Sequence, residues 1–321
     1  MKYINILTNY VMKMFQLLKA AFIKWFDRDP FREGAIIAYY SIFSLPGLLV
    51  VVITLAGYFF GADAVSGQLN DQISSAVGKE SAEMIQSIVK SSMESKDSVW
   101  ATILGIGTII LGATAVFAQF QKSINNIWEV ETSTTKSGIW LFIQSRFFSF
   151  GLIVTIAFLL LISLLVSSLL SAFSQWIQTH LSSSLLIIFV AADFVLSLAI
   201  TTVLFAMMFK ILPDAKIKWK SVWIGAVITA VLFEIGKFSL GLYFGSADPA
   251  SGYGAAGSII LILLWTSYSS MIVFFGAEFT KVYSDDRYGV APPTEHAVKV
   301  KVEKKIVEKK PEGKREIKYR N

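Results

Sequence analysis

The chain has 321 residues, of which 54% are hydrophobic and only 16% charged, with a net charge of +6 and no cysteine. Soluble domains run nearer ~45–50% apolar and ~25% charged, so the balance indicates an all-α polytopic membrane protein rather than a soluble enzyme. The absence of cysteine excludes disulfides, thiolate nucleophiles, iron–sulfur clusters and cysteine zinc sites, and the two histidines, His180 and His296, lie too far apart in sequence to suggest a multi-histidine metal centre.

The first element is an amphipathic helix. Ile4, Leu7, Val11, Phe15, Leu18, Phe22 and Trp25 recur at helical spacing, with Lys13, Gln16 and Lys24 on other faces. Residues 1–33 read as an interfacial helix on the cytoplasmic surface. It is expected to end near Asp29-Pro30, because the residue before proline leaves the helical region. A cleavable signal is not expected, since no short apolar core precedes a small-residue cleavage site.

Six segments then reach the ~20 apolar residues that a membrane span needs: 34–60, 99–118, 147–173, 185–212, 222–244 and 255–279. Residues 34–284 thus predict a bundle of six transmembrane helices. Loops joined on the side of the N terminus, with both terminal segments, hold 25 of the 29 Lys and Arg; the opposite loops hold three. The positive-inside rule places both termini in the cytoplasm. The external loop, 61–98, carries two short amphipathic patterns divided at Gly78, with Ser81 placed to cap the second. A small helical external cap is expected. Residues 285–321 open with Pro292-Pro293 and continue as a Lys/Glu-rich run, which reads as a disordered cytoplasmic tail.

Charges inside spans are the sharpest signal, because each costs ~2.5–3.5 kcal/mol on insertion scales. Glu234 and Lys237 lie three residues apart near the middle of the fifth span, on the face of Ala226, Ala230 and Gly241. That stripe is expected to face the bundle. Two readings stand for the pair: a polar cavity for a headgroup or protons, or a self-neutralising structural lock. Asp193 lies in the outer half of the fourth span. Glu278, near the cytoplasmic end of the sixth, reads as a structural or interfacial contact. Pro46 and Gly47 sit near the centre of the first span, where a kink or break is expected and a hinge would lie. Gly241 and Gly245 form a GxxxG pattern suited to close helix packing. No Walker A, GxGxxG, HExxH or GxSxG motif is present, so no enzyme activity and no cofactor is expected.

Several stretches carry a resemblance. They are Ala38-Tyr-Tyr-Ser-Ile-Phe-Ser-Leu-Pro46, Gly112-Ala-Thr-Ala-Val-Phe-Ala-Gln119 with Ile124-Asn-Asn-Ile-Trp128, and Phe209-Lys-Ile-Leu-Pro213-Asp214. Gly236-Lys237 leading to Gly241-Leu-Tyr243, Tyr253-Gly-Ala-Ala-Gly-Ser258 and Phe275-Gly-Ala-Glu278-Phe-Thr280 follow in order. Over residues 25–287 the chain resembles the YihY/BrkB family of bacterial inner-membrane proteins, formerly labelled ribonuclease BN. The resemblance implies a six-helix inner-membrane protein linked to envelope lipid handling, serum resistance or transport, with no settled activity. The ribonuclease label does not suit this chain. The basic tail has no aromatic platform for RNA, and two isolated histidines cannot build a zinc nuclease. No nucleic-acid partner is expected.

Two functions are weighed. The first is a transporter or flippase of an envelope lipid or other amphiphile. In it Lys237 neutralises an anionic headgroup, Glu234 holds Lys237 or exchanges a proton, Asp193 sits at the external mouth and Pro46-Gly47 is the hinge. The alternative is a non-catalytic membrane scaffold organising envelope proteins. Membrane lipids, anionic ones included, are the expected partners.

Overall fold

The computed structural model describes residues 2–61, 66–67, 69–71, 73–74, 78–94, 115–132, 183–247, 249 and 251–300. These are mostly helical: α1 (Lys2–Asp27), α2 (Pro30–Phe60), α3 (Lys79–Glu94), α4 (residues 115–128), α5 (Ser183–Ile211), α6 (Trp219–Ala247) and α7 (Gly257–Tyr288). A 3-10 turn, Ser251–Ala256, leads into α7, and two short strands, β1 (Val130–Thr132) and β2 (Ala297–Lys299), complete the elements.

The α1–α2 elbow follows the sequence closely. α1 closes with Arg28 and Asp29 donating to the Trp25 and Phe26 carbonyls, and Asp29 turns into the left-handed region at φ 57°. Pro30 then opens α2, where its missing N–H would be unpaired in any case. α2 runs unbroken to Phe60, so the break expected at Pro46-Gly47 does not occur. Proline removes one donor, and the rest of the ladder carries the helix through. The side chains at 45–48 lie outside the described residues.

Gly78, at φ 90°, starts α3, and its carbonyl takes the first bond, from Ala82 N. The expected Ser81 cap is therefore corrected. Ser81 lies inside the first turn, fully buried, with its hydroxyl toward the Ser258 carbonyl at 3.4 Å. Ala82, Ile85 and Val89 form the buried face of α3, and the last two pack with Leu49, Ile53 and Ile262.

α7 is the central element. It is 32 residues long, about 48 Å at 1.5 Å per residue, which exceeds the ~30 Å hydrocarbon core. α6 crosses it through two reciprocal contacts. Thr229 packs on Gly276 and Thr280 on Gly225, so close that a Cβ at either glycine would fall 1.8 Å from the facing hydroxyl oxygen. Each threonine is tied to its own helix, Thr229 donating to the Gly225 carbonyl and Thr280 to that of Gly276, both at 2.7 Å. By contrast, a Cβ at Gly241 would meet nothing within 4 Å among the described residues. The main core gathers Ile124 and Trp128 of α4, Phe209 of α5, Ala226 of α6 and Phe274 of α7.

Among the described residues three helical segments are long and apolar enough to cross a membrane: Phe194–Ile211, Trp219–Phe244 and Gly257–Tyr288. They coincide with the fourth, fifth and sixth expected spans. On α6 an exposed apolar stripe of Trp223, Val227, Val231, Ile235, Phe238 and Leu242 suits contact with lipid. The third expected span, 147–173, lies outside the described residues, as does the second except for its end at 115–118.

α1 runs back along the C-terminal half of α7. Lys13 pairs with Asp286 at 2.7 Å, and Trp25 Nε1 donates to the Met271 carbonyl at 3.1 Å. Ala21 packs with Phe279 and Val282, so part of the amphipathic pattern faces protein, while Val11, Phe15, Phe22 and Phe26 remain exposed.

The expected disordered tail is corrected over residues 285–300. α7 continues to Tyr288, and β2 pairs antiparallel with β1 through Val130↔Lys299, Glu131↔Val298 and Thr132↔Ala297. Lys216 N donates to the Pro292 carbonyl at 2.8 Å, and Thr294 N to that of Asp214 at 2.9 Å. Backbone pairing orders this stretch, and a Lys/Glu composition does not oppose backbone pairing. Residues 301–321 lie outside the described residues.

Candidate functional site

The Glu234–Lys237 pair forms as the spacing requires, with Nζ and Oε2 2.6 Å apart. Its setting differs from expectation. Ala226 and Ala230 are fully buried, but beyond them the face opens. The Lys237 side chain is 45% exposed and that of Glu234 15%. Lys237 also lies past the middle of the apolar segment Trp219–Phe244, by ~8 Å at 1.5 Å per residue. A lysine so placed can carry its ammonium to the nearer interface. Asp193 lies within α5, but its side chain lies outside the described residues.

The polar centre lies elsewhere. At the α1–α2 elbow the Arg28 guanidinium donates to Glu278 Oε2 (Nε, 3.0 Å), to the Asn126 and Ile127 carbonyls (2.9 and 3.4 Å) and to Glu129 Oε1 (3.3 Å). Lys281 Nζ donates to the same Glu129 oxygen at 2.6 Å. Two cations and two carboxylates thus form a linear quartet, Glu278–Arg28–Glu129–Lys281. Glu278 is fully buried and Lys281 nearly so. α7 places Glu278 and Lys281 three residues apart on one face. The turn after α1 delivers Arg28, and the turn after α4 delivers Glu129. That turn holds Glu129 at φ 54°, and Asp29 beside Arg28 is at φ 57°; these are the two non-glycine residues with positive φ among those described. Such conformations persist where the surroundings over-determine them, often at functional sites.

A second junction adjoins it. Asn125 Nδ2 donates to Asp214 Oδ2 at 2.7 Å, and Asp214 N donates back to Asn125 Oδ1 at 2.8 Å. This joins α4 to the turn after α5. Arg28, Glu129 and Lys281 were not legible as one site, since 250 residues separate Arg28 from Glu278. The signals available were the Arg28-Asp29-Pro30 elbow and the i,i+3 spacing of Glu278 and Lys281.

Burial raises the Glu129 pKa, but the bond and charge of Lys281, then the charges of Arg28 and Lys299, outweigh it and hold the carboxyl below its ordinary 4.5. A lowered folded pKa adds stability that is present above the unfolded value and lost as pH falls through the folded one. Acidification below 4.5 should therefore lower the thermal midpoint of the wild type more steeply than that of Glu129→Gln. Parallel curves for the two proteins would remove Glu129 from the linkage.

An apolar groove of about 560 Å³ lies between α1 and α6. Phe15, Leu18 and Phe22 form one wall, Val227, Val231 and Leu232 the other, and Lys19 is the charged residue in its lining. Clefts of ~300–1,000 Å³ hold drug-sized ligands.

A family model described as virulence factor BrkB matches residues 22–301. A UPF0761 membrane protein of Saccharophagus degradans is 26% identical over 258 residues, covering 80% of this chain and 57% of the relative. One of Pseudoalteromonas atlantica is 25% identical over 270 residues, covering 81% and 85%. One of Tolumonas auensis is 27% identical over 260 residues, covering 80% and 81%. The chain spans about 60% of the length of the Stenotrophomonas maltophilia relatives it matches. No solved structure matches the chain.

Proposed function

Because the chain belongs to the BrkB virulence-factor family of membrane proteins, we propose that it moves an anionic amphiphile, an envelope lipid, across the inner membrane without enzymatic chemistry. In this reading six helices span the bilayer and both termini lie in the cytoplasm. The observation that carries it is the groove between α1 and α6. One wall belongs to a helix apolar enough to span the membrane, so the groove opens to hydrocarbon, and Lys19 in its lining offers a positive charge to a headgroup. An acyl chain of an anionic lipid fits both features. Lys237, held by Glu234, and Asp193 are further along the proposed path.

The test is lipid movement in proteoliposomes, read as dithionite bleaching of fluorescently labelled phosphatidylglycerol. Wild-type protein should expose inner-leaflet label faster than empty vesicles do. Val231→Trp fills the groove and should slow movement at least about tenfold, ~1.4 kcal/mol of barrier. Lys19→Glu should favour a zwitterionic over an anionic label. Lys237→Ala at wild-type rate removes Lys237 from the path. Wild-type protein that moves no label overturns the transport reading and favours a scaffold.

A further inference from the structure

Glu278 is fully buried, yet only one of its carboxyl oxygens is engaged. Oε2 accepts from Arg28, whereas Oε1 has no hydrogen-bond partner. A buried polar atom in that state carries its full desolvation penalty unless water or a proton meets it. Glu278 also lines a cavity of about 20 Å³ at the elbow, together with Arg28, Glu33, Ser123 and Asn126. A water molecule needs ~10–15 Å³ of such space, so the pocket has room for a water. Glu33, the other carboxylate on its wall, has a side chain only 16% exposed and accepts from Ser123 Oγ at 2.7 Å. Two acidic residues therefore line one small, mostly apolar pocket.

We infer that Glu278 is a proton-exchange site, loaded through the cavity it shares with Glu33, and that its protonation sets the grip of the α1–α2 elbow on α7. The ligand is a proton carried by water. Arg28 on the cavity wall opposes a metal cation there. The charged groups around Glu278 are Lys24 from α1, Arg28 from the turn after it, Glu33 from α2, Glu129 after α4, and Lys281 and Asp285 on α7. Lys299 of β2 bears on Glu129. With Glu278 ionised, Arg28 bridges two carboxylates and two carbonyls. A hydronium in the cavity gives its proton to the carboxylate and leaves water behind. Arg28 then keeps Glu129 and the carbonyls but loses its charge pair to α7, and the elbow loosens. This inference stands apart from the amphiphile reading, since its readouts need no lipid movement.

The experiment is pH-difference infrared spectroscopy on the full chain in liposomes. Acidification should raise a carboxylic-acid C=O band that is missing in Glu278→Gln and kept in the exposed control Glu131→Gln. An unchanged band in Glu278→Gln overturns the site. Should Glu278→Gln fail to fold, Glu278→Asp keeps the carboxyl and should move the band; an unmoved band overturns it equally. The cysteine-free chain also permits spin labels at Val11→Cys and Ser239→Cys alone. Their distance distribution should broaden on acidification in the wild type and stay broad at every pH in Glu278→Gln. A wild-type distribution that ignores pH overturns the coupling.

Discussion

Gly276→Ala should be among the most damaging single-methyl changes in the described part of the molecule. The new Cβ would meet Thr229 Oγ1 at 1.8 Å, and also its Cβ at 2.8 Å and Cγ2 at 2.9 Å. Rotating the threonine moves Oγ1 but not Cβ, and it breaks the bond to the Gly225 carbonyl. The backbones of α6 and α7 must separate, which also disturbs Thr280 on Gly225 in the same crossing. Overpacking of this kind costs about 3 kcal/mol at the upper end of its usual range. The thermal midpoint of protein in mild detergent should fall accordingly, and Thr229→Gly in the same chain should restore much of it. Gly241→Ala is the control. Its Cβ meets nothing within 4 Å among the described residues, so the change should be neutral or stabilising by about 0.5–1 kcal/mol through helix propensity. Equal midpoints for the two alanine variants would discard the crossing as drawn.

The contrast between these glycines shows what the sequence could and could not tell. Spacing selected Gly241 and Gly245, because GxxxG is a local pattern. The packed glycines, Gly225 and Gly276, are each matched to a threonine on the other helix, and only the crossing of α6 and α7 reveals that match. Local rules did well where one stretch decides the outcome. Proline after Asp29 ends α1, and the apolar runs of α5, α6 and α7 are plain in composition. They failed where distant partners decide. The Lys/Glu composition after Asp285 hid a strand, because β2 is ordered by pairing with the distant residues 130–132 and by the Lys299 ammonium donating to the Trp128 carbonyl.

The same limit governed the charges. Insertion cost drew attention to Glu234 and Lys237 because they sit deepest in an apolar run. They satisfy each other within one helix, on a half-open face. Glu278 looked ordinary because it lies near the end of its span. Yet among the described residues it is the carboxylate that burial isolates most, and its partner arrives from the other end of the chain. The stretches around Asn125, Asp214 and Glu278, on which the family resemblance rests, border this end of the molecule. What those stretches share is therefore a place in space as well as an order in sequence.

Arg28→Ala tests that place most directly. The substitution removes four hydrogen bonds and leaves the buried Glu278 carboxyl without a donor on either oxygen, so it must either stay charged without its partner or take up a proton. Removing one partner of a buried ion pair typically costs ~3–5 kcal/mol, and with a 25% exposed arginine side chain the lower half of that range is expected. Lys13–Asp286 at the far end of α1 cannot make up the loss, because both side chains are substantially exposed and such pairs contribute ~0–1 kcal/mol. Arg28→Lys should recover only part of the midpoint, since an ammonium cannot serve two carboxylates and two carbonyls in a fixed fork. The informative comparison is Arg28→Leu with Glu278→Leu. Removing both residues leaves no unpartnered carboxyl at 278, so the double variant should be more stable than Arg28→Leu alone although it carries one more substitution. Additive losses in that cycle would mean that Arg28 and Glu278 act independently, and the elbow would then have to be held by the Glu129–Lys281 half of the quartet.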